Sequence, residues 1–426
     1  MEQSHLLLRR YQRRTLFTLW ITYALMYFGR VNMAIALPFI EQEFGWTTAS
    51  LSLISGAFFA VYALGQLVNG ILGDHLSARW FVFVGLLGTA LMNLCFGWSR
   101  SLGAMILFWG LNGVFQSMGW GPILKTASNW TRAEERNKVS GFLGTTFVLG
   151  SLASWYISGQ VLGRMERWEL VFWFPGVVLL LQALIWVFLI RDNPAELGIT
   201  LPGSGAVGRR RAQGLCSTLK DTAAFLRQPT FLLLAVVTIV QGMIKDGITF
   251  WTPTLLVQSH NQSIAMASLY ALVVPLFGFV GVVSTTWFNH HLGDRDERAL
   301  GVLFGIGAIL ALGVRRVFTG DSVLFLTLLI GLCGAIINGI NIVLLSSIPL
   351  RYAHSGKTSS LAGFLDFASY VGSALMTVIT GVVVNLWGWG ILLWLWVGLF
   401  VLGALILGVD YVLTEKSQIK GEITCQ

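Results

Sequence analysis

RRYQRRTLFTLWITYALMYFGRVNMAIALPFI, residues 9–40, decides the fold. Arg9, Arg10, Arg13 and Arg14 open it, and from Thr15 to Ile40 the only charge is Arg30. About 20 apolar residues cross a bilayer. This run is too long for a signal-peptide core and no small-residue cleavage site follows it, so it reads as a retained first transmembrane helix.

The rest of the 426-residue chain repeats the pattern. It is 55% hydrophobic and only 11% charged, against about 25% charged in soluble domains. A soluble fold could not hide that much apolar surface. Spans are expected near 15–39, 47–72, 79–99, 102–125, 138–162 and 168–190. After a polar stretch come 230–257, 263–288, 299–317, 322–349, 358–385 and 388–413. Only helices satisfy their own backbone at this depth without closing a barrel. The expected class is an all-α polytopic membrane protein with twelve transmembrane helices.

Basic residues set the orientation. Twenty-one of the 28 Lys and Arg fall in loops on the side of the N-terminus. Arg100, Arg164, Arg167, Arg315 and Arg316 fall on the other side. That asymmetry puts both termini in the cytoplasm. The expected organisation is a six-helix bundle over 1–190, a cytoplasmic linker over 191–228, a second bundle over 229–414 and a tail over 415–426. The linker carries Pro194, Pro202 and Arg209–Arg211, with a short surface helix expected near Thr218–Leu226.

Matching strings relate the halves. Gly73-Asp74 matches Gly293-Asp294, 220 residues on. Gly110-Leu111-x-Gly113 matches Gly331-Leu332-x-Gly334 at 221. Gly141-Phe142-Leu143 with Gly150-Ser151 matches Gly363-Phe364-Leu365 with Gly372-Ser373 at 222. A constant offset in constant order implies two pseudo-symmetric six-helix bundles. Most of these glycines are expected to let helices approach closely rather than to touch a ligand.

Two basic residues lie inside spans. Arg30 is 16 residues beyond Arg14, and Lys245 is 16 beyond Pro229, so each sits roughly 24 Å along its helix. Either would cost on the order of 2.5–3.5 kcal/mol facing lipid. Both are therefore expected to face protein or a watery cavity. They stand 215 apart, close to the repeat offset. Two facing cations call for a small anion with several negative oxygens. Asp246 and Asp366 also lie in spans. Lys245 and Asp246 point about 100° apart around their helix, which favours Asp366 as the counter-ion of Lys245 or as a coupling-proton site. Tyr23 and Tyr27 share the face of Arg30, and Tyr62 shares a face with Gln66. Trp120 and Trp251 are further candidates to line a cavity.

These strings resemble the organophosphate:phosphate antiporter family of the major facilitator superfamily. They are Tyr23-x-x-x-Tyr27-x-x-Arg30-x-Asn32 with Pro38, Asn69-Gly70-x-x-Gly73-Asp74, and Gln116-Ser117-Met118-Gly119-Trp120-Gly121-Pro122. With them come Asn129-Trp130, Glu135-Arg136, Arg191-Asp192-Asn193-Pro194, Leu197-Gly198, and Lys245-x-Gly247-Ile248-x-x-Trp251-x-Pro253. The resemblance implies a central cavity that opens alternately to each side. It implies exchange of an organic phosphate for inorganic phosphate, and two basic residues, falling on Arg30 and Lys245, that hold the phosphoryl group. The family's cavity tyrosines fall on Tyr23, Tyr27 and Tyr62. Glycerol-phosphate members have Arg at Lys245, Lys at Gln66 and His at Thr146, and they lack an acid at Asp366.

Two further readings remain at this stage: a proton-coupled symporter of a carboxylate or sugar acid, with Asp366 as proton site, and a phosphate-ester sensor with little transport. Enzyme chemistry is not expected, since no Ser/His/Asp set, phosphate loop or metal cluster stands out. Cys95, Cys216, Cys333 and Cys425 have no metal or disulfide spacing. No cofactor and no nucleic-acid partner is expected. The expected state is a monomer in a bacterial inner membrane.

Overall fold

The computed structural model describes residues 2–132, 135–198, 228–291, 296–320, 322–348 and 358–424. The expected surface helix near 218–226, Asp294, Cys216 and Cys425 lie outside the described residues. All regular structure among the described residues is helical. In chain order the helices are α1 (Glu2–Phe44), α2 (Thr48–His75), α3 (Ala78–Trp98), α4 (Leu102–Gln116), α5 (Trp120–Trp130), α6 (Arg136–Met165) and α7 (Leu170–Leu189). Then follow α8 (Pro229–His260), α9 (Ile264–Ala271), α10 (Val273–His291), α11 (Asp296–Val317), α12 (Val323–Ile342), α13 (Thr358–Trp387) and α14 (Trp389–Thr424). Ten segments of the described residues are helices long and apolar enough to cross a membrane.

Two expected spans prove to be broken helices. The fourth divides into α4 and α5, with tight i→i−3 hydrogen bonds from Met118 to Phe115 and from Gly119 to Gln116 at the junction. Pro122 has no N–H and its ring would strike the carbonyl of Met118, so the helix restarts at Trp120 with Pro122 in its first turn. The eighth divides at Leu272, where Pro275 has the same relation to Ala271. In the tenth, α12 passes into a single π turn, Val343–Ser347. At the ends, α1 begins at Glu2 rather than Thr15 and runs through the four arginines, while α14 runs on through the expected tail.

Contacts sort the chain into two compact units. The first comprises Met1–Trp46, Leu53–Lys220 and Ser263–Leu269; the second comprises Thr47–Ser52, Asp221–Gln262 and Tyr270–Gln426. In the first unit α1 packs on α6 and α7, and α3 packs on α7 and α4. Leu19, Met26, Leu86, Leu143, Leu179 and Trp186 are fully buried in one cluster between them. In the second, α8 packs on α13, α10 on α12, and α11 on α14.

The repeated Gly-Ser string makes the same contact in each unit. A Cβ on Gly150 of α6 would stand 2.5 Å from the Ala24 carbonyl oxygen and 2.9 Å from Tyr27 Cβ of α1. A Cβ on Gly372 of α13 would run into the carbonyl oxygen of Ile239 on α8, and one on Gly242 would run into that of Ser369. Glycine here allows one backbone to lie against another. Ile239 and Gly242 correspond to Ala24 and Tyr27 at the same offset of 215 that separates Lys245 from Arg30. The crossing therefore fixes where each cation stands.

The strings Asn129-Trp130 and Arg191-Asp192-Asn193 meet at one end of the first unit. Asp192 Oδ1 accepts from the Arg79 backbone N–H at the start of α3 (2.7 Å), and Trp130 Nε1 donates to the Arg191 carbonyl (2.8 Å). Asn129 donates to the Asp192 carbonyl (3.1 Å). These residues clasp α3, α5 and the end of α7, so their role is structural.

Candidate substrate-binding site

Arg30 is carried by a turn of α1 that is tied down through its backbone. Gln116 Nε2 donates to the Met26 carbonyl (2.9 Å). Asn93 Nδ2 and Asn112 Nδ2 both donate to the Gly29 carbonyl (3.1 and 3.0 Å). Trp155 Nε1 donates to the Val31 carbonyl (3.0 Å), and Asn32 Nδ2 donates to Asn93 Oδ1 and the Val171 carbonyl. All five of these side chains are buried. Polar groups removed from water need partners, and here the partners are second lone pairs on helix carbonyls. The result is a collar of side chains from α3, α4 and α6 around one turn. Asn93, Asn112 and Trp155 were not singled out in the sequence; a lone carboxamide in an apolar span was the available signal. Asn93→Leu is expected to lower stability by about 1–3 kcal/mol, because the Asn32 amide and the Gly29 carbonyl each lose one of their two side-chain-mediated contacts. A thermal melt in detergent checks it, and an unchanged midpoint would contradict the collar.

The collar leaves the guanidinium against aromatic rings. Arg30 Cζ lies 4.5 Å from the ring centroid of Tyr62, 5.5 Å from Phe58 and 5.7 Å from Tyr27. Cation–π attraction holds the planar group over these faces. Gln66 Nε2 donates to the Tyr62 hydroxyl (2.6 Å). Tyr23 packs edge-on to Tyr27 (5.4 Å) and tilts against Trp120 (4.6 Å), while Tyr27 meets Phe147 of α6 (5.5 Å). Tyr23, Tyr27, Arg30, Gln66, Trp120 and Phe147 are all half-buried. Phe58 was readable as the first member of the Phe58-Tyr62-Gln66 series; Phe147 carried no signal. Thr146 is fully buried and donates to the Leu143 carbonyl within its own helix.

Lys245 stands on α8 opposite a face of α13 formed by Asp366, Tyr370 and Ser373, spaced i, i+4, i+7. Lys245 Nζ lies 5.0 Å from the Tyr370 ring centroid. It also lies 3.5 Å from Asp246 Oδ2, an ion pair that corrects the expectation that these neighbours are badly placed to meet. The 100° between successive residues describes Cβ directions; the four-carbon lysine stem is long enough to reach back around the helix. Ser373 Oγ makes a short hydrogen bond to the same Asp246 oxygen. Beside this pair, Gln241 Nε2 donates to Asn341 Oδ1 (3.0 Å) and Ser369 Oγ donates to Gln241 Oε1 (3.0 Å). Asp366 is half-buried one turn before Tyr370.

Trp251 is turned inward within the second unit. It is 0% exposed and packs against Trp389 (6.4 Å) and Phe250 (5.8 Å). Six residues past Lys245 it points roughly 120° away around α8. Its burial corrects the expectation that it lines a cavity.

The Major Facilitator Superfamily model matches residues 19–375, so the chain belongs to that superfamily. A probable hexose phosphate transport protein of Chlamydia muridarum is 22% identical over 402 residues, covering 88% of this chain and 86% of that protein. A glycerol-3-phosphate transporter of Bacillus subtilis is 24% identical over 397 residues, covering 89% and 88%. Among solved structures, a bacterial homologue of the human lysosomal transporter Spinster superposes with a TM-score of 0.74 at 16% identity, covering 94% of each chain. The fold is that of major facilitator transporters, an integral multi-pass membrane protein and not an enzyme.

Proposed function

We propose that this protein carries an organic phosphate ester across a bacterial inner membrane in exchange for inorganic phosphate, by alternating access, with both termini in the cytoplasm. The observation that carries the reading is Arg30: a permanent charge deep in a span, half-buried and held over three aromatic rings by a turn that is itself fixed. Its planar fork matches phosphate oxygens. Lys245, at the corresponding place in the second unit, is the second basic residue proposed to meet an anionic substrate. Tyr23, Tyr27, Gln66 and Trp120 offer hydroxyl, amide and ring faces to the organic part of the ester, while Tyr62, 2% exposed, backs Arg30 and Gln66 from behind. The names of the curated relatives support phosphate esters as the cargo class.

Reconstitution in liposomes tests it. Uptake of labelled glucose 6-phosphate, glycerol 3-phosphate or 3-phosphoglycerate is expected only when inorganic phosphate is loaded inside. Accumulation driven by a pH gradient alone would overturn exchange in favour of proton symport. In the same assay Asp366→Asn is expected to alter coupling or the pH response of uptake while leaving membrane insertion intact. An unchanged pH response would reduce Asp366 to a structural partner.

A further inference from the structure

The second unit presents an ion pair where the first presents an arginine over rings. Lys245 and Asp246 are adjacent in sequence, their side chains are 15% and 13% exposed, and their charged atoms stand 3.5 Å apart. They are neither solvated nor sealed off. We propose that Asp246 is a built-in competitor for the substrate's phosphoryl group: it occupies Lys245 until an anion of higher charge displaces it, and thereby sets the affinity and the minimum charge of the ligand. The proposal rests on the phosphate-ester reading above and deepens it.

Three features support displacement over a fixed structural pair. A strong charge-assisted hydrogen bond closes to about 2.7–2.9 Å, and this pair is looser than that. A doubly charged phosphate with three oxygens can offer Lys245 more than the single Asp246 oxygen does. A ligand carboxylate only equals what Asp246 already supplies, so the pair discriminates by charge.

The carboxylate is also provided for when the lysine leaves. Ser373 Oγ is bonded to the same Asp246 oxygen, so departure of Lys245 does not leave a buried charge without a partner, the costly outcome for a broken pair. Lys245 Nζ, in turn, lies 5.0 Å from the Tyr370 ring centroid, a cation–π contact that does not depend on Asp246. The position corresponding to Asp246 at the 215-residue offset is Val31.

The test measures binding of glucose 6-phosphate, glycerol 3-phosphate and inorganic phosphate by titration calorimetry to the full-length protein in detergent. Unphosphorylated glucose serves as control. Asp246→Asn and Asp246→Ser, two neutral replacements, are each expected to tighten binding of all three phosphates about tenfold, the factor that matches loss of an internal competitor worth roughly one surface-to-buried ion pair. Asp246→Glu, which retains the charge, is expected to tighten none of them, and glucose should not bind in any case. Wild-type binding that is unchanged or weakened in both neutral variants would overturn the competitor while leaving the phosphate-ester reading intact. Failure of the wild type and of both neutral variants to bind any phosphate would overturn that reading, and the competitor with it. Binding by the neutral variants alone would support the competitor in its strongest form.

Discussion

Replacing Arg30 by alanine is expected to weaken phosphate-ester binding at least about a hundredfold, with no loss of folded protein. Hydrogen bonds to charged groups contribute about 1.5–3 kcal/mol each, and the guanidinium can make two to one phosphoryl group; about 2.7 kcal/mol corresponds to that factor. Folding should survive because α1 is held at this turn by donors to the carbonyls of Met26, Gly29 and Val31. None of those bonds uses the arginine side chain. Arg30→Lys keeps the charge and loses the fork, so an intermediate loss is expected. Lys245→Ala should also abolish tight binding. Calorimetry alongside size-exclusion profiles separates binding from folding. An Arg30→Ala protein that binds phosphate esters normally would remove the site assignment altogether.

The second large effect is steric. Gly242→Val is expected to yield little or no monodisperse protein. The added Cβ meets the backbone carbonyl of Ser369, and a backbone cannot rotate aside as a side chain can. Overpacking typically costs about 1–3 kcal/mol where side chains can adjust, and more is expected where they cannot. Gly363→Ala is the control. It lies on α13, in the repeated string Gly363-Phe364-Leu365, and nothing lies within 4 Å of its added Cβ. On helix propensity it should be neutral or slightly stabilising. Comparable expression and melting of the two variants would show that the crossing of α8 and α13 is not as close as described.

The sequence carried the framework well because its strongest signals are long-range averages. A bilayer-length apolar run is hard to miss, and a 215-residue separation placed Arg30 and Lys245 in matching helices before any coordinates. Details within spans were less visible. Pro122 and Pro275 sit inside apolar stretches, where a broken helix and a continuous one have the same composition. The Lys245–Asp246 pair was missed because angular spacing describes where a side chain starts, not how far a lysine reaches. Trp251 was a candidate to line a cavity, although its angle from Lys245 pointed elsewhere. The collar was invisible because its acceptors are backbone carbonyls, which a sequence does not display. Tyr23, Tyr27, Tyr62 and Gln66 were legible because i+4 spacing on a helix does specify a shared face.

The duplicated Gly-Ser pair has diverged in what its serine does. Gly150 and Gly372 keep the same close crossing, but Ser373 is bonded to Asp246, whereas Ser151 Oγ has no hydrogen-bond partner among the described residues. The position after the cation differs in the same way: it is Val31 in the first copy and Asp246 in the second. Identical backbone crossings therefore carry unlike electrostatic neighbours, so Asp246→Val, which copies the first half's residue into the second, is expected to remove the competition for Lys245 without disturbing the crossing.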